Sequence, residues 1–196
     1  MNKNNMAELI ESLGFERQLL PEELPSIDLY MDQVIQLFEN TFGSATRNDG
    51  EKILTKTMIN NYAKGKLFSP VKNKKYSREQ LMMISLIYQL KGSLSIQDIK
   101  QTLDGANNKA LKGTLRIEEF YSSYLQLAEQ NLAGFKEDVP LRGRLAREQA
   151  EELEAGSSEL EQILLILSLV HMGNMYRRTA ERLIDELGGN PPVPKG

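Results

Sequence analysis

A run of cations without any neighbouring carboxylate is the feature of this sequence with the clearest chemical meaning. The 27 residues from Lys52 to Arg78 contain eight Lys or Arg and no Asp or Glu. The rest of the chain has 16 basic and 27 acidic residues, so the cations of this segment stand apart from an acidic background. Positive charges gathered on one surface attract an anionic partner. The phosphate backbone of a nucleic acid and an acidic protein both meet that description.

Other reactive side chains are scarce. The chain has no cysteine, which removes disulfides, thiolate nucleophiles and Cys-ligated metals. Its single histidine, His171, lies in an apolar stretch and is predicted to be a packed or capped structural residue. The acidic runs at 118–119 and 151–154 are predicted to be solvated helix faces rather than catalytic or metal-binding carboxylates. With no nucleophile–base pair, phosphate loop or metal-ligand spacing, we expect neither an enzyme nor a cofactor.

The segment before these cations contains one clear helical pattern. Residues 1–25 are interpreted as an N-terminal arm that ends in the proline-containing stretch LLPEELP. A helix is predicted to begin at Ser26 and to stop at Gly43, because one stripe carries the apolar residues Met31, Val34, Ile35, Phe38 and Phe42. A polar, turn-rich loop follows.

The cationic segment itself is predicted to form a short helix and a loop or small hairpin. Thr55 can cap a helix with an apolar side and a polar side, the latter made of Thr57, Asn60, Asn61 and Lys64. Gly65, Pro70 and Asn73 exclude a continuing helix, and the cations at 71–76 form a basic wing. A buried helix is predicted after Ser77, with the capping pattern S-x-E, and another after Ser95.

The second half of the chain is predicted to be helical as well. We place a domain boundary at about residue 105, with a linker at 105–116, a helical module at 117–187 and a tail at 188–196. The last helix, Ser158 to Leu187, is apolar nearly all round from Ile163 to Met172. Such a helix is buried within its own domain or in a dimer interface.

A resemblance adds to this interpretation. The stretch TMINNYAKGKLFSP, followed by KKYSREQL and SLSIQDIKQTL, resembles the DNA-binding domain of MerR-type regulators. It resembles more closely an uncharacterised bacterial family of MerR-like domains of unknown function, whose recognition helix contains I-N-N-Y. The likeness covers Ser26 to Leu103. Lys66 stands where the family usually has glycine, so the turn after the recognition helix differs from the family pattern. Asn60 stands where MerR proteins have arginine, so the contact with DNA at this position differs as well.

The resemblance implies a mainly α protein with an N-terminal winged helix-turn-helix at 26–104, a small β-wing and a C-terminal helical domain. Its recognition helix, near 55–64, would enter the major groove of double-stranded DNA, while the wing contacts phosphates. The predicted DNA-binding residues are Lys56, Thr57, Asn60, Asn61, Lys64, Lys66, Lys72, Lys74, Lys75, Tyr76 and Arg78. Tyr76 has an alternative position, packed under the hairpin. The function expected is transcription regulation, and the alternative is a winged-helix module that contacts a protein and does not bind DNA.

The sequence also carries expectations about partners and location. A homodimer is predicted through the C-terminal helices, because regulators of this kind bind two half-sites. A small-molecule effector is left open, and the sequence does not identify one. The N-terminus contains no apolar stretch typical of a secretion signal, and no apolar run approaches the ~20 residues of a membrane span, so a cytoplasmic protein without membrane contact is expected.

Overall fold

The described part of the chain is mainly helical, as predicted. The computed structural model describes residues 3–48, 50–153 and 158–189. Its α-helices are α1 (Lys3–Ser12), α2 (Met31–Phe42), α3 (Lys56–Lys64), α4 (Arg78–Leu90), α5 (Ile96–Leu111), α6 (Ile117–Glu151) and α7 (Ser158–Leu187). Two short strands, β1 (Leu29–Tyr30) and β2 (Lys75–Tyr76), pair antiparallel, with Leu29 opposite Tyr76. Short 3₁₀ turns occupy Pro21–Glu23 and Gly43–Ala45.

The chain divides into two compact units. The basic unit comprises Arg17–Gln126 and Glu181–Gly196, and the helical unit comprises Met1–Glu16 and Leu127–Ala180. Each unit has its own apolar core. No helix in the described ranges is long and apolar enough to cross a bilayer.

Side-chain caps start the helices of the basic unit where the sequence predicts them. The hydroxyl of Thr55 accepts a hydrogen bond from Met58 N at 3.2 Å, and that of Ser95 accepts one from Asp98 N at 3.1 Å. Ser77 opens α4, but the residue that completes its capping box is Gln80, not Glu79 of the S-x-E pattern. Gln80 occupies the third helical position, from which its side chain can reach back to the cap.

The core of the basic unit surrounds α4. Leu81, Met82, Ile84 and Ile87 of this helix are fully buried. On α6, Tyr121 donates a hydrogen bond to the carbonyl of Leu19 at 2.8 Å and lies 2.9 Å from the hydroxyl of Ser85. Burial raises the pKa of Tyr121 to about 12. This polar link is fully inside the core, so it fixes the segment around Leu19 against α4 and α6.

Two sequence predictions about elements need correction. Helix α2 begins at Met31 and not at Ser26, because residues 29–30 form β1. The predicted linker at 105–116 begins inside a helix, since α5 continues to Leu111 despite its Gly and Asn residues. A tertiary contact supports this continuation: the Asn107 amide donates a hydrogen bond to the carbonyl of Leu67 at 2.8 Å. Part of the N-terminal arm is helical, as α1.

The helical unit has a small core made by α1, α6 and α7. Its buried members are Met6, Ile10, Val139, Ala146 and Leu165. Helix α6 continues through Pro140. Helix α7 has the bounds predicted from the sequence, but half of the apolar residues from Ile163 to Met172 are exposed. His171 is exposed too, which corrects the prediction of a packed histidine.

Candidate nucleic-acid interface

Helix α3 presents a polar, acid-free face to solvent. Ile59 and Tyr62 are buried, and they hold the helix on the core of the basic unit. Because a helix repeats every 3.6 residues, the opposite side carries a different set of residues. Thr57, Asn60, Asn61 and Lys64 are all exposed there, as the sequence predicts. The face offers hydrogen-bond donors and acceptors, a cation and no carboxylate, which is the chemistry that reads base edges.

The turn after α3 is a helix-ending motif with lysine in a position that favours glycine. Lys66 N donates to Ala63 O, and Leu67 N donates to Tyr62 O, both at 3.1 Å. This pair of bonds is the Schellman arrangement, which requires a left-handed residue just beyond the helix. Lys66 occupies that position with φ 57°. Gly65 before it is close to its surroundings, since an added Cβ would lie 3.1 Å from Leu67 Cδ1 and 3.2 Å from Asn61 O.

We expect Lys66→Gly to stabilise the fold while weakening any interaction that uses this cation. Removing the left-handed strain of a side-chain-bearing residue should raise the free energy of unfolding by about 0.5–1 kcal/mol, measured by urea denaturation. Lys112→Gly is the matched control, because Lys112 is an exposed residue after α5 with φ −83° and carries no such strain. Equal effects of the two substitutions would contradict the assignment of strain to Lys66.

A second tight turn carries the cations of the wing. Lys75 N donates to Lys72 O at 2.9 Å, and the two residues between them have positive φ, 51° at Asn73 and 59° at Lys74. These values describe a type I′ turn, the usual connection of a two-residue hairpin. The predicted loop or small hairpin is therefore a hairpin turn, with Lys72 and Lys74 exposed at its tip.

Backbone strain and positive charge coincide in this segment. Among the described residues, the non-glycine residues with positive φ are Lys66, Asn73 and Lys74, all inside the acid-free run. Glycine or asparagine adopts this conformation at lower cost than lysine. Residues held in unfavourable conformations are often found at functional sites. The positive φ of the two lysines makes the acid-free run a candidate functional surface.

The predicted cations differ in whether they already contact another residue of the chain. Lys64, Lys66, Lys72 and Lys74 are exposed and form no ion pair with any residue that the structure describes. Lys56 lies 2.7 Å from Asp32, and both side chains are mostly solvent-exposed, so that pair is weak. Lys75 is half-buried, with its ammonium 5.0 Å from the centre of the Tyr30 ring. The first four are the cations available to a partner.

Two predicted site residues serve the fold. Arg78 donates to Leu24 O at 3.2 Å and pairs with Glu118 at 3.0 Å, so its guanidinium is already occupied. Tyr76 is buried, with its ring 6.3 Å from that of Phe68. Burial also raises the pKa of Tyr76. The second position considered for Tyr76, packed under the hairpin, is the one observed, and a phosphate contact through its hydroxyl is not compatible with that burial.

Sequence reasoning missed the residue that anchors the wing. Gln80 is buried, and its amide nitrogen donates to the carbonyls of Ser69 at 2.8 Å and Pro70 at 3.2 Å. Its amide oxygen accepts from Ser77 N at 2.8 Å. One side chain thereby joins the start of α4 to the loop that connects α3 with the wing. The pattern Ser77-x-x-Gln80 was the available signal, as a capping box.

A cleft borders the first turn of α3. Its volume is about 710 Å³, and it lies between α2, the loop from Gly43 to Lys52, and Thr55. The lining combines the apolar residues Ile35 and Leu54 with charged residues, which are Asp32, Glu39, Glu51, Lys52 and Lys56. No group of three or more potential metal ligands occurs in the described ranges. A molecule in this cleft would touch the N-terminus of α3.

One family matches the basic unit. Residues 19–124, more than half of the chain, match the family described as "Domain of unknown function (DUF1836)". The chain belongs to this family. The DUF1836 region begins at the Leu19 carbonyl bound by Tyr121, contains the whole acid-free segment, and ends within α6. No curated protein matches the chain, and no solved structure matches it.

The elements of the DUF1836 region can be compared with the predicted winged helix-turn-helix. Helices α2 and α3 are followed by the hairpin turn and β2, and β2 pairs with β1. However, residues 43–55 separate α2 from α3, where a helix-turn-helix has a turn of only about three or four residues. The Lys56–Asp32 pair joins the starts of the two helices across this longer connection.

Proposed function

We propose that the chain is a non-enzymatic, DNA-binding regulator of transcription with a winged-helix type of basic unit. The observation that carries the proposal is the acid-free exposed face of α3, flanked by Lys66, Lys72 and Lys74, which have no ion-pair partner among the described residues. In this proposal α3 lies in the major groove, and the lysines bind phosphates of the flanking backbone. Bacterial DNA is in the cytoplasm, so a cytoplasmic location is part of this proposal.

Each group of residues has a separate role in the proposed complex. Asn60 and Asn61 can each donate and accept, which suits the paired N6 and N7 groups of adenine. Lys64, Lys66, Lys72 and Lys74 supply charge without reading sequence, because phosphate is the same at every base pair. The hydrogen-bonded turns at 65–67 and 72–75 set where those charges lie relative to α3.

The same charges would also suit an acidic protein, which remains the alternative function. DNA binding and binding of an acidic protein can be distinguished by one experiment. The affinity of the full chain for a random duplex is measured across a range of salt concentrations, with polyglutamate as competitor. DNA binding predicts a steep linear fall of log K with log salt and weak competition by polyglutamate. Binding of polyglutamate as tight as that of the duplex would support the alternative.

Asn60→Ala should change sequence preference more than overall affinity. On the duplex preferred by the wild-type protein, selected from a random pool, we expect a loss of roughly 1–3 kcal/mol in binding free energy and a relaxed preference at one or two base pairs. Binding to unselected DNA should remain nearly unchanged. Asn108→Ala is the control, since Asn108 is an exposed asparagine on α5 outside the basic segment. Retained preference in Asn60→Ala would remove this residue from the base-reading role.

A further inference from the structure

The helical unit leaves more of its apolar side chains exposed than it buries. Among the described residues, six apolar residues of this unit are buried, whereas thirteen large ones are exposed. The basic unit shows the opposite balance, with 24 buried and seven exposed. Monomeric soluble proteins rarely expose large contiguous apolar patches. The core of the basic unit is therefore complete within one chain, and that of the helical unit is not.

Four exposed apolar residues in the middle of α7 form one continuous stripe. Ile163, Ile166, Leu167 and Val170 are 44%, 53%, 60% and 58% exposed. Their spacing of i, i+3, i+4 and i+7 places them on one side of the helix. Leu165, by contrast, is buried in the core of the helical unit, with Leu164 and Leu169 packed against it. Helix α7 thus uses one face within its own chain and presents a second apolar face outward.

We propose that this stripe binds the same stripe of a second copy of the chain, with the two α7 helices antiparallel. Charge complementarity favours this occupant and this direction. The exposed residue Glu159 precedes the stripe, and the exposed residue Arg178 follows it. When Leu167 lies opposite Val170 of the second copy, the same two-fold relation sets Glu159 opposite Arg178. The symmetry generates both pairs twice, as expected for an isologous interface. A parallel pairing would instead set like charges together at each end.

The antiparallel pairing predicts specific cross-links, and the absence of cysteine from the chain makes them easy to detect. Ile163 of one copy faces Asn174 of the other in this pairing, while the two copies of residue 163 lie about 16 Å apart along the helix axis. A mixture of Ile163→Cys and Asn174→Cys proteins should form a disulfide-linked dimer on mild oxidation. Ile163→Cys alone should not. Cross-linking by Ile163→Cys alone to the same extent as by the mixture would overturn the antiparallel arrangement.

Substitution of the stripe should separate the two copies without unfolding either. We expect wild-type protein to sediment as a dimer and Leu167→Glu as a folded monomer. Leu127→Glu is the matched control, because Leu127 of α6 is 58% exposed but lies off the α7 stripe, and it should remain dimeric. Leu164→Glu should instead prevent folding, since Leu164 packs on the core of its own unit. If Leu167→Glu also fails to fold, the cross-linking pair decides the question.

Two results would overturn the proposed interface. One is wild-type protein that sediments as a monomer at concentrations of hundreds of micromolar. The other is Leu127→Glu becoming monomeric at the same concentration as Leu167→Glu, which would show that any added carboxylate separates the copies. Neither result depends on DNA binding by α3, so the interface and the proposed function fail or succeed independently.

Discussion

Replacing Lys72 and Lys74 together by glutamate is expected to weaken binding to every duplex alike and to flatten its salt dependence. Each phosphate contact contributes about 0.9 to the slope of log K against log salt, so losing two should reduce the slope by about 1.8. By the same relation, one phosphate contact raises K at 0.1 M salt roughly eightfold relative to K at 1 M salt. The double variant should therefore bind about 60-fold more weakly at 0.1 M salt. Fluorescence anisotropy across a salt series measures both quantities.

The choice of these two lysines follows from the structure. Both are exposed at the tip of the type I′ turn, whereas Lys75 is half-buried against Tyr30 and its loss would disturb packing. Lys109→Glu with Lys112→Glu is the control, since it makes the same change of net charge at exposed positions outside the acid-free segment. If the wing variant binds as tightly as this control in low and moderate salt, the turn is not a DNA surface. The protein-contact function then becomes the better proposal.

Local patterns predicted the elements of this chain well. The caps at Thr55, Ser77 and Ser95 were found from sequence because each cap depends on a residue only three positions away. Helix α7 was found with its correct ends, and so was the polar face of α3, since periodicity alone determines both. The same reasoning found the lysines that remain available to a partner.

Contacts between distant residues were not predictable in this way. Strand β1 has two residues and exists only because β2, some 45 positions later, pairs with it. Arg78 was assigned to DNA from its charge, yet Leu24 and Glu118 on separate elements bind its guanidinium. Burial of α7 from Ile163 to Met172, in its own domain or in a dimer interface, was predicted from composition, and within one chain only the side that includes Leu165 is buried. In each case the deciding partner is far away in sequence, or belongs to another chain in our proposal.

The anchor at Gln80 should be the most sensitive polar position of the basic unit. Gln80→Glu keeps the size of the side chain and the acceptor for Ser77 N, but it removes the amide donor to the carbonyls of Ser69 and Pro70. At neutral pH it also directs a carboxylate at those two carbonyl oxygens inside the protein. Unsatisfied buried groups and an unpaired buried charge are both costly, so we expect the free energy of unfolding to fall by about 2–4 kcal/mol.

A second glutamine on the same helix provides the comparison for this variant. Gln89 is half-buried, and its amide makes one long hydrogen bond, 3.4 Å to Gln18, so Gln89→Glu should cost less than about 1 kcal/mol. Urea denaturation measures both losses. Hydrogen exchange should also show faster opening of residues 66–76 in Gln80→Glu, because Ser69 and Pro70 connect α3 to the turn that carries Lys72 and Lys74. Equal destabilisation by the two substitutions, with unchanged hydrogen exchange at 66–76, would mean that Gln80 does not hold the wing in place. The position of Lys72 and Lys74 would then depend on the β1–β2 pair instead.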